Sequence, residues 1–166
     1  SGRVLGFGGR TLLKDKKVAK YFNSPESIIY NKSKILYGLY FSKGDIIKYD
    51  ECFLCEGYTD VIALYQAGIT NVVASSGTAL PKEQIRLVKR YSNNITILYD
   101  GDAAGIKASF RGIDLILEEG MNVKVVMLPK GEDPDSYAHT HNSTEFLEYI
   151  RQNEKDFIAF KTEILL

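Results

Sequence analysis

Little in this 166-residue sequence would place it in a membrane or outside a cell. No apolar run is long enough to span a bilayer, and no secretory leader is visible. Only two cysteines occur, without a secretory context, which argues for a reducing, cytoplasmic setting and against a disulfide framework. They stand at Cys52 and Cys55. The only histidines, His139 and His141, lie more than 80 residues away, so a four-ligand zinc site cannot be assembled near the cysteines. Both cysteines read instead as buried strand residues. Net charge is also missing, but the zero hides an asymmetry. Residues 1–49 carry 10 Lys or Arg against 3 Asp or Glu, and residues 50–166 carry 11 against 18. A basic segment suited to nucleic-acid phosphates is thus joined to an acidic one suited to metal ions, unless both are simply solvated faces.

What is present is ordinary for a soluble domain: 45% hydrophobic and 25% charged residues, and enough chain for one core with some additional elements. Residues 50–135 alternate strand and helix patterns. Strands are predicted at 52–55, 71–74, 95–99 and 123–128. Helices are predicted around Val61, Leu64 and Tyr65 with a Gly68 cap, from Pro81 through Ile85, Val88 and Tyr91, and along Ile106, Phe110, Ile113 and Leu117 to Gly120. Pro129 to Asp135 reads as a loop in which Pro134 keeps the acids out of a helix. Asn142 with Glu145 marks another helix start, with Phe146, Tyr149 and Ile150 inside. A repeating βα unit makes a parallel sheet flanked by helices the natural solution. In residues 1–49, Val4–Phe7 and Leu36–Phe41 are candidate strands. The tail from Asp156 to Leu166 looks like a helix that has lost its partners, and both ends look cut from a longer protein.

Three acidic sites fall just past three predicted strands: Glu56, the pair Asp100 and Asp102, and the pair Asp133 and Asp135, with Glu132 beside it. In an open parallel sheet these strand ends share one edge. Carboxylates held together repel unless a cation joins them, and Mg²⁺ takes hard oxygen ligands of this kind. Gly101, between the two acids, permits unusual φ and a close approach of the turn to a ligand. The competing reading is that Asp100 and Asp102 cap a helix and that Glu56 favours a helix N-terminus. One capping acid does not explain three acidic turns at one edge. His139 and His141 read as a polar surface turn near that edge. Tyr37 and Tyr40 read as partly core, although such rings also stack bases. The Ser75–Thr78 loop has N–H groups suited to a phosphate, without specificity.

These motifs together resemble a known family. Glu56-Gly57-Tyr58-Thr59-Asp60, then Asp100-Gly101-Asp102-Ala103-Ala104-Gly105, then Gly131-Glu132-Asp133-Pro134-Asp135 resemble the TOPRIM domain of primases, topoisomerases and some nucleases. Gly6-Phe7-Gly8-Gly9-Arg10, Lys20-Tyr21-Phe22-Asn23-Ser24-Pro25-Glu26, Asn31-Lys32-Ser33-Lys34 and Leu36-Tyr37-Gly38-Leu39-Tyr40 resemble the stretch that precedes it in bacterial DnaG-type primases. The resemblance covers nearly the whole chain.

It implies a TOPRIM-type α/β fold with a parallel sheet of about four strands over residues 50–137. Residues 1–49 would be part of a smaller basic α/β subdomain, and 138–166 the start of a truncated helical one. It implies the polymerase core of a primase, which joins ribonucleotides into short RNA primers on a single-stranded DNA template at the bacterial replication fork. Glu56, Asp100 and Asp102 would be the catalytic and metal-binding acids, with Asp133 and Asp135 as further ligands. Mg²⁺ or Mn²⁺ would bind, as two or more ions, with no zinc in these residues; Glu56 either ligates or moves protons. Lys20 and Lys32 would grip nucleic-acid or nucleotide phosphates, with Arg10 and Asn23 in the same motifs. Template, ribonucleoside triphosphates and RNA primer would be the partners, with a replicative helicase reached through a separate C-terminal domain. The family's zinc-binding and helicase-binding domains are not within this sequence, and little primer synthesis is expected of these residues alone. The alternatives are a TOPRIM nuclease or topoisomerase, and a Mg²⁺-binding receiver-like module. The run from Lys20 to Tyr40 argues against the receiver. A haloacid-dehalogenase-type phosphatase fits poorly, because its Asp-x-Asp stands near the start of the domain.

Overall fold

The computed structural model describes residues 3–11, 21–75, 80–101 and 106–165. Lys20, Asp102 and the stretch 76–79 of the small-residue loop lie outside the described residues. Gly8–Arg10 (β1) and Tyr21–Asn23 (β2) pair antiparallel as a separate ribbon. A 3-10 turn at Lys32–Lys34 leads to helix α1, Leu39–Tyr49. The βα repeat follows: β3 Cys52–Cys55, α2 Tyr58–Gln66, β4 Val72–Ala74, α3 Lys82–Lys89, β5 Asn94–Tyr99, α4 Ile106–Glu118 and β6 Asn122–Met127. Helices α5 (Pro134–Thr140) and α6 (Ser143–Asn153), strand β7 (Lys155–Asp156) and helix α7 (Phe157–Leu165) complete the chain.

The main sheet has five strands in the order β4-β3-β5-β6-β7. The first four are parallel and β7 is antiparallel. Every residue of β3 and β4 is buried, as strands covered on both faces require. Alternation divides their side chains between two cores. Cys52, Leu54, Ile95, Ile97, Val123 and Val125 pack with Ile46 of α1, Ile85 and Val88 of α3, Ile113 and Ile116 of α4 and Phe160 of α7. Phe53, Cys55, Leu98 and Val126 pack on the opposite face with Val61 and Leu64 of α2, Tyr137 of α5, and Phe146 and Ile150 of α6.

This connectivity matters for function. From β3 the chain crosses by α2 to β4 on one side. From β5 it crosses by α4, on the other face, to β6 on the other side. Strand order therefore reverses between β3 and β5. Open α/β sheets bind ligands in the crevice outside the carboxyl ends at such a switch point.

Several local expectations are corrected. Leu36–Phe41 is not a strand. Tyr37 makes one antiparallel bridge to Ala74, with N–H···O bonds of 3.0 and 3.1 Å, and α1 begins two residues later. Gly38 makes that turn at φ +84°, where an added Cβ would stand 2.9 Å from Val61 and 3.1 Å from the Val72 carbonyl. In the N-terminal stretch the paired strand is Gly8–Arg10, not Val4–Phe7. Pro134 does not keep the acids out of a helix. It starts α5, because the first turn needs no N–H from it, and Asp133 is the N-cap, its Oδ1 accepting the Ser136 N–H at 2.7 Å. On α4 the buried pair is Ile113 and Ile116, while Leu117 is exposed. The final helix has not lost its partners: Phe160 is buried and stacks 6.4 Å from Tyr99. Cys52 and Cys55 are buried and free, and Asn142 and Glu145 form their reciprocal cap at 3.0 and 2.9 Å. Among the described residues, no helix is long and apolar enough to cross a membrane.

Candidate metal centre and its basic flank

Strands β3, β5 and β6 run parallel and adjacent, so the turns that follow them meet at one edge. Glu56 follows β3 directly and is exposed. Asp100 follows β5, the strand beside β3, directly and is half-buried. A close backbone approach joins the second acidic turn to the third. The Gly101 N–H donates to the Glu132 carbonyl at 2.9 Å. A Cβ on Gly101 would lie 2.0 Å from the Pro129 carbonyl oxygen, so only glycine fits there. Asp133 is partly engaged in capping α5. Asp135, in the first turn of α5, has a side chain 24% exposed. Its Oδ1 lies 3.3 Å from Nδ1 of His139. That histidine therefore touches the acidic edge, while His141 stacks on Tyr137 at 3.8 Å.

Asp60 is an acid of this edge that motif reading did not single out for a role. It is only 7% exposed, and its Oδ2 accepts the Gly57 N–H at 3.0 Å, which fixes the turn carrying Glu56. Burial pushes its carboxyl up to about 7. The Gly57 hydrogen bond opposes the rise, and the charges of Asp100, Asp133 and Asp135 add to it. Burial likewise lifts the Cys55 thiol, with Asp60, Asp100 and Glu56 among the charges that contribute. The excess negative charge at the strand ends is thus felt by two buried neighbours. Part of the signal for Asp60 is in the sequence: Gly57-x-x-Asp60 has the spacing of a helix start whose third residue accepts the N-cap N–H, although glycine has no side chain to return the bond.

The donor set suits Mg²⁺ or Mn²⁺, because it is made of hard carboxylate oxygens with no soft ligand exposed. Among the described residues, no three Asp, Glu, His or Cys side chains converge closely enough to hold a metal by themselves. Asp102 lies outside those residues.

The basic segment reaches this edge. The β1–β2 ribbon packs on the start of α2, and a Cβ at Gly8 would stand 2.6 Å from the Tyr58 ring. Arg10 donates from Nη1 to Thr59 Oγ1 at 3.2 Å and lies 3.6 Å from Asp135 Oδ2. Asn23 ends β2 opposite Gly8. Lys32 opens the 3-10 turn, which Asn31 caps by accepting the Ser33 N–H at 3.1 Å. That turn sits against Gln84 in the first turn of α3. Helix α3 starts on the carboxyl-end side of the sheet, so Lys32 shares that side without pairing with any described acid. Tyr37 packs against Tyr58 at 4.7 Å, whereas Tyr40 is exposed.

Residues 53–138 match a family model described as Toprim-like, and residues 1–43 match one described as DNA primase catalytic core, N-terminal domain. A DNA primase of Halalkalibacterium halodurans is 46% identical over 160 residues. The chain belongs to the Toprim-like family, in its DnaG-type primase branch. That alignment takes in 96% of this chain and 26% of the Halalkalibacterium primase, so the chain spans about a quarter of such relatives. A DNA primase domain from Pseudomonas aeruginosa superposes with a TM-score of 0.88 at 40% identity, covering 98% of this chain and 51% of that one. A DnaG primase catalytic domain bound to ssDNA superposes at 0.81 and 40% identity, covering 92% and 48%. These DnaG-type matches favour the primase reading over the nuclease, topoisomerase and receiver-like ones. They also agree with the α/β fold and its mostly parallel sheet.

Proposed function

We propose that this chain carries the metal-binding edge and part of the basic face of a primase. The whole enzyme would make short RNA primers on single-stranded DNA by metal-dependent nucleotidyl transfer in the bacterial cytoplasm. Residues 1–49 would supply the basic face, 50–137 the TOPRIM unit and 138–166 the start of a helical unit. Glu56, Asp100 and Asp102 are assigned as the catalytic and metal-binding acids, and Asp133 and Asp135 as further ligands. Two or more Mg²⁺ or Mn²⁺ ions held there would supply Lewis-acid chemistry for attack by a 3′ hydroxyl and departure of pyrophosphate. Asp60 holds the Glu56 turn through Gly57. Arg10, already beside Asp135, and Lys20, Lys32 and Asn23 would bind template or triphosphate oxygens. Single-stranded DNA, ribonucleoside triphosphates and the primer would be the partners, with a replicative helicase bound through a separate domain.

The observation that carries this reading is the switch point between β3 and β5. The turns carrying Glu56 and Asp100 follow adjacent strands there, with Arg10 reaching the same edge from the basic segment. The related DnaG domain bound to ssDNA supports a nucleic-acid partner.

The test is Mn²⁺ titration followed by paramagnetic NMR broadening, with and without ATP, on wild type and Asp102→Asn. Broadening should centre on Glu56, Asp100 and Asp133, weaken in the variant, and extend towards Lys32 when ATP is present. Untouched signals at all three turns would reduce the acids to helix caps and end the polymerase reading.

A further inference from the structure

Lys32 is held by its peptide from both sides. Its N–H donates to Oε1 of Glu26 at 2.9 Å. Its carbonyl accepts from Nε2 of Gln84 at 2.8 Å, and the same amide nitrogen donates to the Ile35 carbonyl at 2.8 Å. The turn containing Lys32 is thus tied to an exposed carboxylate at one end and to a buried amide at the other.

Gln84 is fully buried, and its Oε1 has no hydrogen-bond partner among the described residues. A buried acceptor left without a partner costs free energy, and leucine would fill much of the same space without that cost. The gain that offsets it lies in the amide N–H groups, whose two short bonds go to the Lys32 turn, with the Ser75 carbonyl a longer third contact at 3.5 Å. The main chain of Lys32 is fixed, and the residue is half-buried with no ion pair holding its ammonium among the described residues.

Glu26 adds an argument from sign. A carboxylate beside a phosphate-binding lysine repels the phosphate and by charge alone weakens binding. Its position is explained if its acceptor, rather than its charge, is what the turn uses.

We infer that Glu26 and Gln84 are positioning residues that clamp the Lys32 peptide, so that its ammonium meets a phosphate on the carboxyl-end side of the sheet from a preordered base. This inference rests on the proposed phosphate-binding role of Lys32. The clamp removes part of the ordering cost that a flexible lysine loop would incur on binding.

The test uses the 166-residue chain with ATP and Mg²⁺, and affinity is read from an NMR shift titration. The variants are Lys32→Ala, Gln84→Leu, Glu26→Ala, Glu26→Gln, and Glu26→Ala combined with Lys32→Ala. Gln84→Leu and Glu26→Ala should each weaken ATP binding about three- to tenfold, the scale of one lost hydrogen bond. Glu26→Gln should restore most of that affinity, because its amide oxygen still accepts the Lys32 N–H. The Glu26→Ala loss should vanish once Lys32 is alanine, as a double-mutant cycle requires of an effect exerted through that residue.

Tighter or unchanged binding in both Glu26→Ala and Gln84→Leu, while Lys32→Ala weakens it, overturns the clamp and leaves the role of Lys32 standing. A Glu26→Ala loss that persists at full size without Lys32 overturns the clamp in the same way. No effect of Lys32→Ala overturns both the phosphate role and the clamp built on it. If Gln84→Leu fails to fold, the exposed Glu26 variants carry the decision.

Discussion

Asp60→Asn should make the protein more stable at alkaline pH and leave it unchanged in acid. The carboxyl ordinarily titrates near 3.8 and is lifted to about 7 in the fold. Between those values the folded state keeps a proton that the unfolded chain has released. Raising the pH through this window therefore favours unfolding. The contribution is fully present below about pH 4, declines from about 4 to about 7, and is constant above that. A rise of about three pH units corresponds to a ceiling of about 4 kcal/mol. Asparagine carries no charge, and its side-chain oxygen can still accept the Gly57 N–H. The variant should therefore match wild type near pH 4 and exceed it by about 2–4 kcal/mol near pH 8. For a domain of this size that is about 5–15 °C in Tm. Urea unfolding followed by circular dichroism across that range is the assay. Millimolar Mg²⁺ should flatten the wild-type slope only in part, since it offsets the neighbouring charges but not the burial. Parallel stability curves for the two proteins would refute the reasoning, because they would mean that Asp60 is ionised in the fold at acid pH.

Other outcomes follow from contacts already described. Gly101→Ala must separate the β5 turn from the Pro129 loop, so it should cost about 2–4 kcal/mol in thermal unfolding and weaken Mn²⁺ broadening at Asp133. Arg10→Ala breaks a partly exposed ion pair and should cost less than about 1 kcal/mol in stability. Its effect on the binding of a single-stranded oligonucleotide, read by fluorescence anisotropy, should be larger and should shrink as salt rises. Phe160→Ala opens a cavity between α7, Tyr99 and Phe110, and should cost about 3–5 kcal/mol in urea unfolding.

The parts legible in the sequence were those where one physical demand dominated. Strand β3 needs burial on both faces, and four consecutive apolar residues ending at Glu56 have few other uses. The same holds for β5 with Asp100 and for Gly68 and Gly120, which adopt φ +94° and +70° at helix ends. Reading failed where two local rules competed. Pro134 satisfies both a stiff loop and a helix start, and the Asp133 cap decides between them. Leu36–Phe41 has strand composition, but Gly38 turns the chain against Val72 and tertiary packing sets α1. The spacing around Asp60 indicates only a helix start; what singles the residue out is burial near three other acids. The contact of Arg10 with Thr59 spans 49 residues and no periodicity reports it.

The margins of the main sheet have a consequence for how molecules meet one another. A strand with unpaired N–H and C=O groups along its outer side is a template for another chain. At one margin Tyr37 occupies Ala74, the last residue of β4, through two hydrogen bonds. At the other, β7 occupies Lys124 and Val125 of β6, and the Tyr149 hydroxyl takes the Met127 carbonyl at 2.8 Å. Both guards come from outside the strand-helix repeat, and each covers only one or two residues. Strands β4 and β6 thereby offer less free edge to another chain. Loosening β7 would uncover more of the β6 edge, so mutations there should show themselves first as self-association and only later as loss of fold.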